Sequence, residues 1–485
     1  MRQRLIRNIT SNYLGFAVNT LVVLLLTPFL IRRLGDSVFG IWVLLNAFLS
    51  YFQMMEFGVM PSLIRFVSFH RAREEQRQIE SVIGSAGLLL AGLGLAALPV
   101  VYLIGTWASR WFDLSAVDSE VFVQAVWVMG AAVVLTFFKR LFFAVIQGYQ
   151  RFDLLNISAA SGSIFGAAAT VYFVAQGGGI LALMIILAAQ TVYEILFEAG
   201  VLLKVFHLRP RFSDLSTRNF KKIFGYSYYA YLIDIAVTVA YKIDMVVIGL
   251  FLPAASITYY AIATRAARVL EKAVEPLEDT FFPLASELHT AGGGEALKKL
   301  LLRGTQASVL LVTPGVLLIY LHGADLIGWW VGAAYREPSL PVLHIFLAVI
   351  FLSVFEATAA SIFLGSGKVR FVANVYLLSA AANLLLSLLL VKDYGIAGVA
   401  MGTLIPAFVS IVLVTVPYAC RMTRTSLREF YGAVFTPALA VFLPSWIFIE
   451  WTRGLSAGPV AVFAVNVAFV AAVTALAFFK WIKVR

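Results

Sequence analysis

The sequence predicts an all-α membrane protein of fourteen transmembrane helices, built as two parallel six-helix repeats that form two lobes, with two additional C-terminal helices. Three observations lead there: an apolar composition, cations that collect at alternate ends of apolar runs, and short echoes at a nearly constant offset. Of 485 residues, 61% are hydrophobic and only 13% charged, so the bilayer is the expected solvent for most side chains. A spanning helix needs about 20 mostly apolar residues, which leaves room for ten or more crossings. The formal net charge of +11 would suit nucleic acid only if the cations gathered on one soluble face. They recur instead in short clusters between apolar runs, as topology signals and contacts to anionic headgroups do. No nucleic-acid partner is expected. The single cysteine, Cys420, cannot close an intrachain disulfide, and the five histidines have no metal-ligand spacing, so neither metal nor cofactor is expected.

The first apolar run, 9–31, follows the basic "MRQRLIR"; it is longer than a secretory h-region and lacks a small-residue cleavage site, so it reads as the first span. Runs at 40–68, 80–107, 121–146, 154–175 and 180–203 complete an N-terminal lobe at 1–207. A second lobe, 208–428, holds 223–251, 255–284, 304–323, 340–364, 371–391 and 395–418. The additional pair, 432–450 and 459–479, occupies 429–485. With both termini cytoplasmic, inner segments hold 26 of the 37 Lys and Arg, counting Lys139, Arg140 and Arg151 in the connection between the fourth and fifth spans. Outer segments hold six: Arg32, Arg33, Arg110, Arg336, Lys392 and Arg453. Such a bias fits an even number of crossings with both ends inside.

Echoes of the repeat are short. "GYQRF" at Gly148 returns as "GKVRF" at Gly367, "GILALM" at Gly179 as "GIAGVA" at Gly395, and "SNY" at Ser11 as "SYY" at Ser227. Together they give each half six spans with the same in-to-out sense, related by an axis along the membrane normal. Two bundles so related enclose a central cleft suited to a substrate. A purely structural duplication is the plainer alternative.

The remaining five cations, Arg65, Lys242, Arg265, Arg268 and Lys272, lie inside spans. In "TRAARVLEKAVEPLED", from Thr264 to Asp279, residues Arg265, Arg268, Lys272, Glu275 and Asp279 fall within about 80° of one another on a helical wheel. A charge at the bilayer centre costs about 2.5–3.5 kcal/mol on insertion scales, so the stripe must face a bundle interior or a wet cavity. The seventh span adds Asp234, Lys242 and Asp244. Lys242, Arg265, Arg268 and Lys272 are therefore the candidate cationic site for a phosphate or diphosphate, Arg offering a planar fork and Lys a point charge. Asp234, Asp244, Glu56 and Glu275 are candidates for ion coupling or for pairing with the cations. The plainer alternative is internal ion pairing that locks two helices. Glu194, Glu198 and Glu356 are also intramembrane, with Arg65 and Glu198 near enough to span ends to snorkel. Tyr228, Tyr229, Tyr231, Tyr259 and Tyr260 could stack on sugars or form an interfacial belt. Pro28, Pro99, Pro314, Pro406 and Pro444 are candidate kinks. No Walker A sequence, HExxH or nucleophile elbow occurs, so no catalytic residue is assigned and the chain is not expected to be an enzyme.

"TPFLIRRLGDSVFGIWVL" followed by "YFQMMEFGVMPSLIRFVS" resembles the first two helices of Wzx-type polysaccharide flippases, members of the multidrug/oligosaccharidyl-lipid/polysaccharide exporter superfamily. "YKIDMVVIGLFLPAASITYYAIATRAARVLEKAVEPLEDTFFPLASEL" resembles their seventh and eighth helices, and "YGIAGVAMGTLIP" the twelfth. The resemblance implies alternating access between two lobes of a bacterial inner-membrane transporter, carrying a polyprenyl-diphosphate-linked oligosaccharide for surface polysaccharide synthesis. It implies that Lys242, Arg265 and Arg268, on the matching helices, hold the anionic head, and that glycosyltransferases and a glycan polymerase are partners. The first span lacks an Arg within it, which departs from the lipid II branch. The alternatives are a cation-coupled multidrug exporter of the same superfamily, a membrane glycan polymerase or a non-transporting envelope scaffold.

Overall fold

The computed structural model describes residues 2–56, 59–209, 228–290, 293–454 and 458–481. These form fifteen α-helices and no strand: α1 (Arg2–Leu34), α2 (Asp36–Gln53), α3 (Val59–Ala72), α4 (Gln76–Trp107), α5 (Ser119–Gly148), α6 (Phe152–Ala175), α7 (Ile180–Lys204), α8 (Tyr228–Phe251), α9 (Ala254–Thr290), α10 (Gly294–Trp330), α11 (Arg336–Gly365), α12 (Val369–Phe408), α13 (Val416–Met422), α14 (Leu427–Thr452) and α15 (Pro459–Trp481). Among the described residues, eleven helical segments are long and apolar enough to cross a membrane. One of them, Val369–Met422, runs for 54 residues, bends at Gly395 where φ is 58°, and has the length of two spans. Two more helices, α8 and α9, are long enough at 24 and 37 residues but carry the charges discussed above. The set is compatible with the fourteen spans expected.

Two boundaries differ from the sequence reading. The second span is not one rod: α2 ends at Gln53, a 3-10 turn covers Met54–Glu56, and α3 restarts at Val59. The twelfth carries a π-helical segment, Val409–Thr415, just after Pro406, whose missing N–H already interrupts the i→i−4 ladder. Elsewhere local chemistry sets the ends. Asp118 caps α5 by accepting from the Glu120 backbone N–H at 2.8 Å. At α14 Ser426 accepts from Glu429 N–H at 3.1 Å, the Ser-x-x-Glu arrangement of a capping box. Pro28, Pro99, Pro314, Pro406 and Pro444 all lie inside helices.

The backbone repeats more faithfully than the sequence. α5 and α11 are both 30 residues long and begin 217 positions apart, at Ser119 and Arg336. The segment from Asp36 to Ala72 and the helix Ala254–Thr290 are offset by 218 at both ends. The turn after α5 has Gln150 at φ 56°, with Arg151 N–H on Ile146 O and Gln150 N–H on Gln147 O. The turn after α11 has Gly367 at φ 75°, with Lys368 N–H on Phe363 O and Gly367 N–H on Leu364 O. Both are Schellman motifs. This register pairs Gln150 with Gly367, and Gly177 with Gly395, two positions away from the echoes read in the sequence. A left-handed turn needs only a residue that tolerates positive φ, so side-chain identity slides while geometry holds. Ser227, in the third echo, lies outside the described residues.

By compactness the chain divides into two units, Met1–Thr258 and Tyr259–Arg485. In the first, α5 packs on α4 and α7, α6 on α1 and α7, and α8 on α2. Thus α8 opens the second round of the helix register yet packs within the first unit. In the second, α11 packs on α10 and α12, and α14 and α15 pack on each other and on α10. A buried polar knot fastens the last two helices. Asn466 of α15 meets His322 Nε2 of α10 at 3.1 Å and accepts from the Thr452 hydroxyl of α14 at 2.9 Å.

Candidate functional site

The cationic strip lies on α9, which runs unbroken through Arg265, Arg268 and Lys272. Arg265 and Arg268 are half-buried and three residues apart, so they share one helix face. Lys272 is exposed and ion-paired with Glu275, the i,i+3 arrangement of a solvated helix face. The side chain of Asp279 lies outside those described. Lys242, half-buried, and Asp244, 1% exposed, stand on α8 in the first unit. Asp244 is near enough to Tyr51 of α2 to act on its hydroxyl electrostatically. Asp234 is exposed and acts in the same way on Glu56 and Tyr231.

Glu56 is held where α2 breaks. It is 3% exposed, and Arg140 of α5 grips it as a fork, Nε at 2.5 Å from Oε2 and Nη2 at 2.7 Å from Oε1. Nη1 of the same guanidinium lies 3.4 Å from Gln53 Oε1. The Tyr231 hydroxyl of α8 donates to Met54 O at 2.8 Å, tying a third helix to the break. A 3-10 turn leaves carbonyls without i+4 partners, and here one accepts from a side chain instead.

One residue earlier on α5, Lys139 pairs with Glu194 of α7, and Gln190 Nε2 donates to the other oxygen of Glu194 at 3.0 Å. One turn on, Glu198 Oε1 accepts from the Ser158 hydroxyl of α6 at 3.1 Å. The chain is shaped to admit these groups. A Cβ on Gly162 would sit 2.4 Å from Glu194 Oε1, and one on Gly166 would sit 2.3 Å from Gln190 Oε1. Ser158, Gly162 and Gly166 thus form an i, i+4, i+8 seam on α6, facing Glu198, Glu194 and Gln190 in reverse order on α7.

Three expectations need correction. Lys139 and Arg140 are not loop cations: they lie eight or nine residues inside α5, about 12 Å from its end, each bonded to a buried carboxylate. The signal is present in "FFKRLFF", a dibasic pair with aromatic residues on both sides that falls within the run 121–146, although its charges are counted with the connection that follows. Glu198 does not snorkel; at 2% exposure it faces α6. Tyr260 cannot stack on a sugar, because it is 1% exposed and packed edge-on against Phe346. Tyr228, by contrast, is 63% exposed. Among the described residues no group of three or more His, Cys, Asp or Glu is placed to hold a metal ion.

The chain is 21% identical over 397 residues to a protein of Shigella flexneri described as a putative O-antigen transporter, covering 82% of this chain and 93% of that one. Among solved structures, the lipid II flippase MurJ in an inward closed conformation superposes with a TM-score of 0.70 at 12% identity, covering 100% of this chain and 99% of that one. An inward-facing multidrug resistance MATE family transporter of the MOP superfamily gives 0.69 at 14% identity, covering 86% and 98%. At these identities the two structures establish the fold alone, an all-helical fold of many spans. Residues 5–289, more than half of the sequence, match the family described as polysaccharide biosynthesis protein. The chain belongs to that family.

Proposed function

We propose that this protein is an alternating-access flippase that moves a polyprenyl-diphosphate-linked oligosaccharide across the bacterial inner membrane, a carrier and not an enzyme. Family membership and the description of the Shigella relative as an O-antigen transporter support the glycan as cargo. The observation that carries the chemistry is the pair of half-buried guanidinium groups, Arg265 and Arg268, on one face of a long helix inside an apolar chain. Cations at that depth are stable only beside anions or water, and two planar forks suit a diphosphate. Lys272, one turn further along the same helix, adds a third cation to that face, and Lys242, Asp234, Asp244, Glu56 and Glu275 are further candidates for binding, ion coupling or charge pairing. Both termini are cytoplasmic, and glycosyltransferases that build the glycan and a polymerase that extends it act on either side of the transport step.

The test is the double variant Arg265→Ala/Arg268→Ala in a strain whose surface glycan depends on this chain. Two charge-assisted bonds at about 1.5–3 kcal/mol each predict a loss of about a hundredfold or more in export. Protein level in the membrane should stay unchanged. Normal surface glycan in that strain would defeat the assignment, and drug resistance lost in place of glycan would move the chain to the drug-exporter reading.

A further inference from the structure

Glu198 is a buried acid of the first unit with no ion pair at its carboxylate in the described structure and with one oxygen left without a hydrogen bond. Glu194 has Lys139 and Gln190, and Glu56 has the fork of Arg140. Glu198 has only the Ser158 hydroxyl on Oε1, while Oε2 is buried and has no hydrogen-bond partner. The residue is 2% exposed, about 9 Å from the end of α7 at Lys204. The ionised groups that bear on it are Glu194, one turn away on its own helix, and Lys139 of α5. α6 brings Ser158 to it, and its one acid, Asp153, is paired with Arg151 at the helix start. α2, which also touches α7, has a single charged side chain, Asp36, at its first residue. Two carboxylates thus share one lysine in a setting where an unbalanced charge is costly.

The repeat provides an internal control. In the helix register, Glu194 and Glu198 correspond to positions in "VSIVLVTVPY", 409–418, a stretch with no carboxylate. The same helix order therefore folds without this pair, and the acids are not demanded by the architecture.

We propose that Glu198 is a proton-carrying site that exchanges with water during the transport cycle, a reading that rests on the carrier function above. Oε2 takes a proton from a hydronium ion, whose O–H bond breaks to leave water, and the resulting neutral acid still accepts from Ser158. When the α6–α7 seam meets water, the proton passes to solvent, and Lys139 keeps its charge throughout. One carboxylate and one hydroxyl supply too few oxygens for a metal cation, whereas a proton needs one. The Lys139 side chain is 31% exposed, so the cluster is not sealed on the α5 side.

Infrared difference spectroscopy on the purified full-length protein in proteoliposomes reads the protonated carboxyl stretch directly. The band should be present in wild type and absent in Glu198→Gln. It should be unchanged in Glu450→Gln, which alters an exposed acid paired with Arg453. Ser158→Ala should move the band to higher frequency, since it removes a hydrogen bond to the carbonyl oxygen; this keeps the test decisive if the glutamine variant fails to fold. In the same vesicles, flipping of a fluorescent polyprenyl-diphosphate glycan should respond to a pH gradient in wild type and lose that response in Glu198→Gln. A band that survives Glu198→Gln, an unaltered gradient response, or a response to sodium in place of pH would each overturn the proposal. Vesicles that show the band but flip nothing would sink the carrier function and leave the proton on Glu198 established.

Discussion

Replacing Arg140 with Met should be among the most destabilising single changes in the first unit. Glu56 is almost fully buried, and both of its oxygens are bonded by the same guanidinium. Removing that partner strands a carboxylate away from water, an event that typically costs about 3–5 kcal/mol. Because the Arg140 side chain is 29% exposed, the pair is not fully enclosed, and the lower end, about 3 kcal/mol, is the appropriate figure. That corresponds to roughly a hundredfold shift in the folding equilibrium. A reversible unfolding titration in mixed micelles would measure it. The control is Glu56→Leu/Arg140→Met, which removes both charges and should recover most of the loss, since two apolar groups leave nothing unsatisfied. A cost below about 1 kcal/mol for Arg140→Met, or a double variant as unstable as the single one, would refute the claim that this pair is desolvated.

Gly162→Ala should destabilise by about 1–3 kcal/mol through overpacking, because its methyl would stand 2.4 Å from Glu194 Oε1, whereas Gly200→Ala, with nothing within 4 Å, should be neutral or slightly stabilising. Thermal melts of the two variants side by side check this. Tyr231→Phe should cost about 1 kcal/mol by leaving Met54 O without its donor at the α2–α3 break, read by the same melts. Asn466→Leu should cost about 2 kcal/mol or more, since it deprives buried His322 and Thr452 of their shared partner. A melt matching wild type would mean that apolar packing alone fastens the last two helices.

The helical class, the many spans and the presence of a duplication follow from composition and period. Hydrocarbon admits only backbone that satisfies its own hydrogen bonds, so apolar run length translates directly into helix. In-span charges such as Arg265, Arg268 and Glu56 were legible for the same reason: they violate the pattern, and a violation costing several kcal/mol must have a partner or a role. What the sequence could not provide is which groups meet. Lys139 and Arg140 are counted with the connection after the fourth span because a sequence pattern weighs a charge without knowing that Glu194 or Glu56 stands across from it. Glu198 looked free to reach the surface because only the packing of α6 turns it inward, and the glycines that make room for Glu194 and Gln190 acquire meaning only opposite them. Repeat register, too, belonged to the backbone: Gln150 and Gly367 share a left-handed turn and no chemistry. The bilayer fixes one-dimensional facts about a chain, residue by residue, whereas charge pairing depends on distances between helices, which exist only after the helices have packed.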